Sequence, residues 1–344
     1  MKNSSPLLEE WKALYQAAVE FKKIESWDWM YDSDLFGVQN PETGETGYCC
    51  VLGNLGEMFA LAVYLGTAGL EGYQKIQSGE LWPPDIAVLQ FQKCLMADFE
   101  NRNGLAKQDL EVIKATGLKF RGRNAWPMFR SYRPGYYPWF LNGGEARFLR
   151  LALQQAVDVA LRFKDDRDLL TSPRQNLFLV RVADKSAAGL HWKDQWLAPE
   201  PLQRERAIPL SIDEVRIRKI KRTIFARQGV WETDVIFSPS PVKDKGDERP
   251  WYPYVCLWAD RQSMFILKSD LVRASDYPAS LQEQLFELIE EARFLPAEIC
   301  VGNKEAVDIL EPATSRLGIK LSQSKKLRAI EAARKSMLGF LGSV

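Results

Sequence analysis

The order of elements in the last third of the chain constrains its fold more than any other feature. From about Val230 the pattern reads strand, strand, strand, helix, strand, helix, strand, helix. Apolar, β-branched and aromatic runs mark the strands: Trp231–Phe237, Tyr254–Trp258, Ser263–Leu267, Glu298–Val301 and Ile319–Leu321. Helical spacing marks Leu281–Arg293, Lys304–Ala313 and Lys325–Leu341. Strands joined by helices of this length pair in parallel, through right-handed crossovers. Asp260, in Trp258-Ala259-Asp260-Arg261-Gln262, reads as a tight hairpin turn. The spacing therefore predicts a sheet with helices packed on it, with Trp231–Phe237 lying beside Glu298–Val301.

The first two hundred residues are patterned differently. Ser5-Pro6 opens a helix, with a hydroxyl at the cap and proline at the first helical position. Leu35–Gln39 and Gly47–Leu52 form an antiparallel hairpin about the turn Asn40-Pro41-Glu42-Thr43-Gly44-Glu45. Met58–Leu65 is a third strand, Thr67–Ser78 a helix stopped by Gly79, Leu89–Phe99 a buried strand, and Ala106–Ala115 a short helix. The prolines and Gly135 of Lys119–Phe140 predict an irregular, ordered arm. Asn142 starts a long helix through Phe163 whose broad apolar face predicts burial. Leu177–Val182 and Gln195–Ala198 read as strands, and Pro199-Glu200-Pro201 and Pro209 bracket a connector. The expected architecture is an N-terminal α+β domain over 1–200, a linker over 201–210 and a C-terminal α/β domain over 211–344. Ser211-Ile212-Asp213-Glu214 is a capping box that opens the second domain.

Composition excludes several classes of function. Lys plus Arg number 46 against 45 Asp plus Glu, so no whole-chain field steers the protein to nucleic acid or an anionic membrane. No apolar run approaches the roughly 20 residues of a membrane span. The N-terminus is acidic and amphipathic rather than of signal-peptide type. The five cysteines, odd in number and without a CxxC pair, read as reduced core thiols of a cytoplasmic protein. A single histidine, His191, rules out zinc sites built on several histidines within one chain, and its place between a strand and a turn favours a structural role.

With Asp234 on its first strand, the C-terminal order resembles the ribonuclease H-like fold of integrases and transposases. The stretches LFGVQNPETGETGYCCVLGNLG and VYLGTAGLEGYQKI resemble the N-terminal domain of a bacterial protein family of unknown function. PAEICVGNKEAVDILEPATSRLGIKL resembles that family's companion domain. This second resemblance covers most of the chain and carries no activity with it. The ribonuclease H-like one implies carboxylates on the first strand, at the end of the fourth strand and on a late helix, holding two Mg2+. Asp234 matches the first place, Asn303 stands at the second, and Glu331 is the candidate third. Asparagine is a neutral ligand, so the resemblance implies a weakened site, and no cofactor is expected unless that site is active. Glu331 also has Arg334 and Lys335 three and four residues on, within reach along its own helix.

Two cationic segments are the candidate surface for nucleic acid or a protein partner. In Lys119–Phe140, Arg121, Arg123, Arg130 and Arg133 alternate with aromatic rings, as single-strand binding requires; the same composition also packs rings on a domain with arginines stacked over them. Arg216, Lys219 and Arg222 lie on a helix whose apolar side is Val215, Ile217, Ile220 and Ile224. Asp28, Asp32 and Asp34 lack the glycine and distal glutamate of a calcium loop and read as turn and cap residues. The glycines at 53, 56, 66 and 69 form no nucleotide-binding pattern, and there is no G-x-S-x-G elbow. The leading expectation is a non-catalytic interaction protein; the alternative is a Mg2+-dependent nuclease or transposase-derived enzyme.

Overall fold

The computed structural model describes residues 4–81, 86–186, 189–202, 213–246 and 249–341. The chain divides into two compact units, Met1–Gln203 and Arg204–Val344.

The first unit is built on a sheet of β1 (Phe36–Gln39), β2 (Thr46–Leu52), β3 (Ala60–Leu65), β4 (Cys94–Glu100), β5 (Trp126–Tyr132), β6 (Phe178–Ser186) and β7 (Gly189–Leu197), in the order β5-β4-β3-β2-β1-β6-β7. Neighbours are antiparallel except β1 and β6. Its helices are α1 (Leu8–Ile24), α2 (Gly66–Gln77), α3 (Lys107–Thr116) and α4 (Gly143–Asp165). Leu14, Phe21, Phe148, Leu149 and Leu153 of α1 and α4 form one core with Phe36, Val51, Leu61, Leu95 and Phe129 of the sheet. Alternate strand residues, among them Tyr48, Cys50, Ala62, Tyr64 and Met96, pack with Leu70 and Tyr73 of α2 in a second. Asn142 caps α4: its side chain accepts from the Glu145 N–H while Glu145 bonds back to Asn142 N–H.

Several local expectations change. The first helix begins at Leu8, not at Pro6, with Leu7 rather than Ser5 at its cap, where the Leu7 N–H donates to the Glu10 carboxylate at 2.7 Å. Residues 86–90 are a short 3-10 turn, so β4 begins only at Cys94. The expected irregular arm contains β5, whose side chains alternate between half-buried and buried. Pro127 is tolerated there because β5 is an edge strand and need not donate outwards. The hairpin of β6 and β7 is longer than expected, and His191 lies inside it, exposed, opposite Asp184.

The second unit comprises α5 (Glu214–Thr223), β8 (Val230–Phe237), β9 (Tyr254–Asp260), β10 (Ile266–Val272), α6 (Tyr277–Ala292), β11 (Glu298–Val301), α7 (Lys304–Leu317), β12 (Lys320–Gln323) and α8 (Arg328–Leu341). The sheet order is β10-β9-β8-β11-β12. β8, β9 and β10 are antiparallel in turn, and β8, β11 and β12 are parallel. β8 thus lies beside β11, with Trp231 opposite Ile299. Residues of α5, α6 and α7 share a core with Trp231, Trp258, Ile299 and Val301. Leu327, Ala329, Ile330 and Ala333, leading into and along α8, pack with Leu257, Ala259 and Cys300. At α5 the cap is Asp213, whose carboxylate accepts from Arg216 N–H at 2.8 Å; the expected cap, Ser211, lies outside the described residues.

Candidate functional site

The alternation of β8 decides which of its side chains share a face. Trp231 and Val235 belong to the core with α6 and α7, while Val230 and Ile236 pack with α8. Glu232 and Asp234 fall on the α8 side, so two acids two residues apart lie on one face of the first strand.

Glu232 has 0% exposure. One carboxylate oxygen accepts from the backbone N–H of Ala329 at 2.8 Å and faces that of Ile330 at 3.5 Å. The other lies 3.2 Å from Arg261 Nε. A buried carboxylate aimed at unpaired helix N–H groups is favoured by the helix dipole, so Glu232 anchors the start of α8. The sequence signal for it was an acid in the middle of an apolar strand, in Val230-Trp231-Glu232-Thr233-Asp234.

Asp234 is half-buried and takes the N–H of Val235 at 2.9 Å. Burial raises its carboxyl above the ordinary value, against the opposing pull of that N–H and of Arg334 on α8. The residue pressed against its carboxylate is Gly302, not Asn303. A Cβ at Gly302 would meet Asp234 Oδ1 at 2.9 Å and both Cγ and Oδ2 at 3.1 Å. The place at the end of β11 beside the first-strand acid is held by a glycine with the Asp234 carboxylate against it, so a side chain there would require that carboxylate to shift. Asn303 is engaged elsewhere: its Oδ1 accepts from Ala306 N–H at 2.8 Å and caps α7. Glu331 is exposed on α8, where Ala329, Ile330 and Ala333 are buried among the described residues. Asp234 and Asn303 therefore have separate partners, the Val235 and Ala306 N–H groups, and α8 supplies a cation, Arg334, to Asp234's surroundings. Among the described residues no group of three or more His, Cys, Asp or Glu side chains could hold a metal ion. Two hard dications need several anionic oxygens at short range. This donor set does not fit them.

The cationic candidates separate into two groups. Arg130 grips Asp109 through two bonds of 2.8 and 2.6 Å and lies 4.7 Å over the Phe140 ring. Arg133 bonds Glu145 at 2.9 Å. Arg216 bridges Glu283 at 2.5 Å and Glu290 at 2.8 Å, over Phe286. Arg121, Arg123, Lys219 and Arg222 are exposed. Lys219 and Arg222, with Val215, Arg218 and Thr223, line a shallow cavity of about 340 Å³ on α5. Rings of the former arm are packed inwards: Phe120 lies 5.8 Å from Tyr15 and 5.9 Å from Trp126. Asp32 accepts from Gln77, Asp34 accepts from Tyr31 N–H, and Asp28 sits in a 3-10 turn. Asp260 accepts from the N–H groups of Gln262 and Ser263 and closes the β9–β10 turn.

Residues 11–181 match a domain of unknown function (DUF7309), and residues 216–338 match a second (DUF6930). Two such domains in one chain fit the two-domain family of unknown function that the sequence motifs resemble. No curated protein matches the chain. Among solved structures the chain is similar to the HTLV-2 integrase catalytic core domain in complex with magnesium, at 15% identity and a TM-score of 0.24, over 35% of this chain and 73% of that one. It is also similar to the Mos1 strand transfer complex, at 13% identity and a TM-score of 0.21, over 74% of this chain and 66% of that one. At these scores neither likeness bears on site or activity.

Proposed function

We propose that the chain is a non-catalytic binding or interaction protein of the bacterial cytoplasm, with a ribonuclease H-like second unit that serves as a scaffold. One observation supports this reading: the residue at the end of β11 that lies against the Asp234 carboxylate is Gly302, which offers no side chain as a second ligand. The opposing charge of Arg334 and the capping role of Asn303 support it. A protein is the favoured partner, because Arg130, Arg133 and Arg216 are already bound to carboxylates of this chain. The buried free cysteines fit a reducing compartment.

The test is a cleavage assay of single- and double-stranded DNA and RNA with Mg2+ and with Mn2+, run beside Asp234→Ala. No cleavage is expected. Cleavage that Asp234→Ala abolishes would replace this reading with the metal-dependent nuclease. Nucleic-acid binding without cleavage is a second reading, favoured by the exposure of Arg121, Arg123, Lys219 and Arg222. It requires an affinity that falls steeply with salt and weakens when those four are neutralised.

A further inference from the structure

β10 ends the five-stranded sheet, and no described strand pairs with its outer side. Such an edge is a row of unpaired N–H and C=O groups, which proteins usually blunt with short strands, prolines or outward charges. The opposite edge follows that practice, since β12 has only four residues. β10 has seven and no proline. Its two charges, Lys268 and Asp270, lie two residues apart and so share a face, where Lys268 meets Glu287 at 2.8 Å and Asp270 accepts from Gln284 at 3.0 Å. Phe265, Ile266 and Leu271 stand exposed beside them at 68%, 39% and 56%.

The edge reads Ile266-Leu267-Lys268-Ser269-Asp270-Leu271-Val272. Apolar pairs flank a cation, a hydroxyl and an anion, so the charge pattern inverts about Ser269. Two copies related by a two-fold axis normal to the sheet run antiparallel at this edge, and opposite residues share a face. An axis through Ser269 sets Lys268 of each copy against Asp270 of the other, twice over. Moving the axis to Lys268 or to Asp270 sets like charges against each other, which is unfavourable. The strand is thus complementary to itself in one register. A register irregularity between Ile266 and Lys268 confines regular pairing to the residues around Ser269.

We infer that β10 is a self-association edge through which a second copy of this chain extends the sheet, in register about Ser269. The backbone ladder supplies the attraction, and the two Lys268–Asp270 pairs choose partner and register. An ammonium group has three N–H donors, so Lys268 can hold Glu287 and the second copy's Asp270 together.

Sedimentation of the full chain over a concentration series tests this. The wild type should show a reversible monomer–dimer equilibrium. Lys268→Asp and Asp270→Lys should each weaken the dimer about tenfold or more, since both cross-strand pairs become repulsive. An equimolar mixture of the two variants should dimerise again, because each then faces the opposite charge at both positions. Wild type that stays monomeric, a dimer indifferent to both changes, or two folded variants whose mixture stays monomeric would each overturn the inference. If either variant fails to fold, amide exchange of the wild type decides: the outer N–H groups of 266–272 must gain protection as concentration rises, and unchanged protection overturns it.

Discussion

Among the described residues each unit buries one carboxylate on a sheet strand, each with one oxygen that has no hydrogen-bond partner, Asp98 Oδ1 and Glu232 Oε1, and the two differ in what meets the rest of the group. Asp98 on β4 of the first unit is 4% exposed. Burial pushes its carboxyl up to about 7, Glu100 adds to the rise, and Arg130 opposes it only weakly. Arg130 is already committed to Asp109. Glu232 on β8 is buried as deeply, yet its Oε2 accepts from the Ala329 N–H of α8 and faces that of Ile330, and Arg261 Nε stands 3.2 Å from Oε1 as an ion pair. Depth of burial alone does not describe an acid's setting; the donors that meet it differ between these two.

The comparison breaks first if the units are not independent. The fragment 211–344 expressed alone should fold cooperatively and stay soluble; an insoluble product beside a soluble full chain would mean that one unit needs the other. The next largest effect belongs to Glu232→Ala, which leaves two α8 N–H groups unpaired and opens a void. It should destabilise the second unit by roughly 2–4 kcal/mol, with Arg261 free to turn to solvent. Urea unfolding measures this, and a loss below about 1 kcal/mol would remove Glu232 as the anchor of α8.

Asp98 should behave in the reverse sense. Its folded carboxyl titrates near 7 and its unfolded one near 4, so between these values the folded state binds more protons. Stability from this residue therefore falls as pH rises from about 4 to about 7 and is level above that. Asp98→Asn should abolish this slope and raise stability at about pH 8 by roughly 1–2 kcal/mol, the new amide lacking a partner as well. Equal melting temperatures of variant and wild type at about pH 8 would contradict the orphaned acid. The smallest effect concerns Gly302→Ala, where the new Cβ meets the Asp234 carboxylate. A loss of about 1 kcal/mol is expected, recovered when Asp234→Ala is added. Simple additivity of the two changes would show that they do not touch.

How much was legible beforehand varied with the kind of signal. Glu298–Val301 was readable to the residue, because a short apolar run follows Pro296 and stops at Gly302. The start of α4 was readable because Asn142 and Glu145 satisfy each other's backbone. β5 was hidden, since Pro127 and Arg130, amid the prolines and arginines that flank it, imitate an arm when its neighbour β4 is unknown. At the candidate site Asn303 drew attention as the polar residue nearest the expected place, whereas the glycine before it touches Asp234. Glu232 was passed over because an acid in a strand says nothing about what will be aimed at it.

In the second unit the sequence alone determined the alternation of strands and helices, hence the parallel pairing of β8, β11 and β12, because crossover connections overwhelmingly take one hand; the parallel pair of β1 and β6 was not foreseen. It also determined which acids of β8 share a face, since side chains alternate along a strand. Tertiary structure alone decided which groups meet: that α8 brings Arg334 rather than Glu331 toward Asp234, that its first turn lands on Glu232, and that three of the seven candidate cations are bound to carboxylates. Those outcomes depend on contacts between segments 12 to 97 residues apart or on how a helix is turned about its axis, and neither is written in local periodicity.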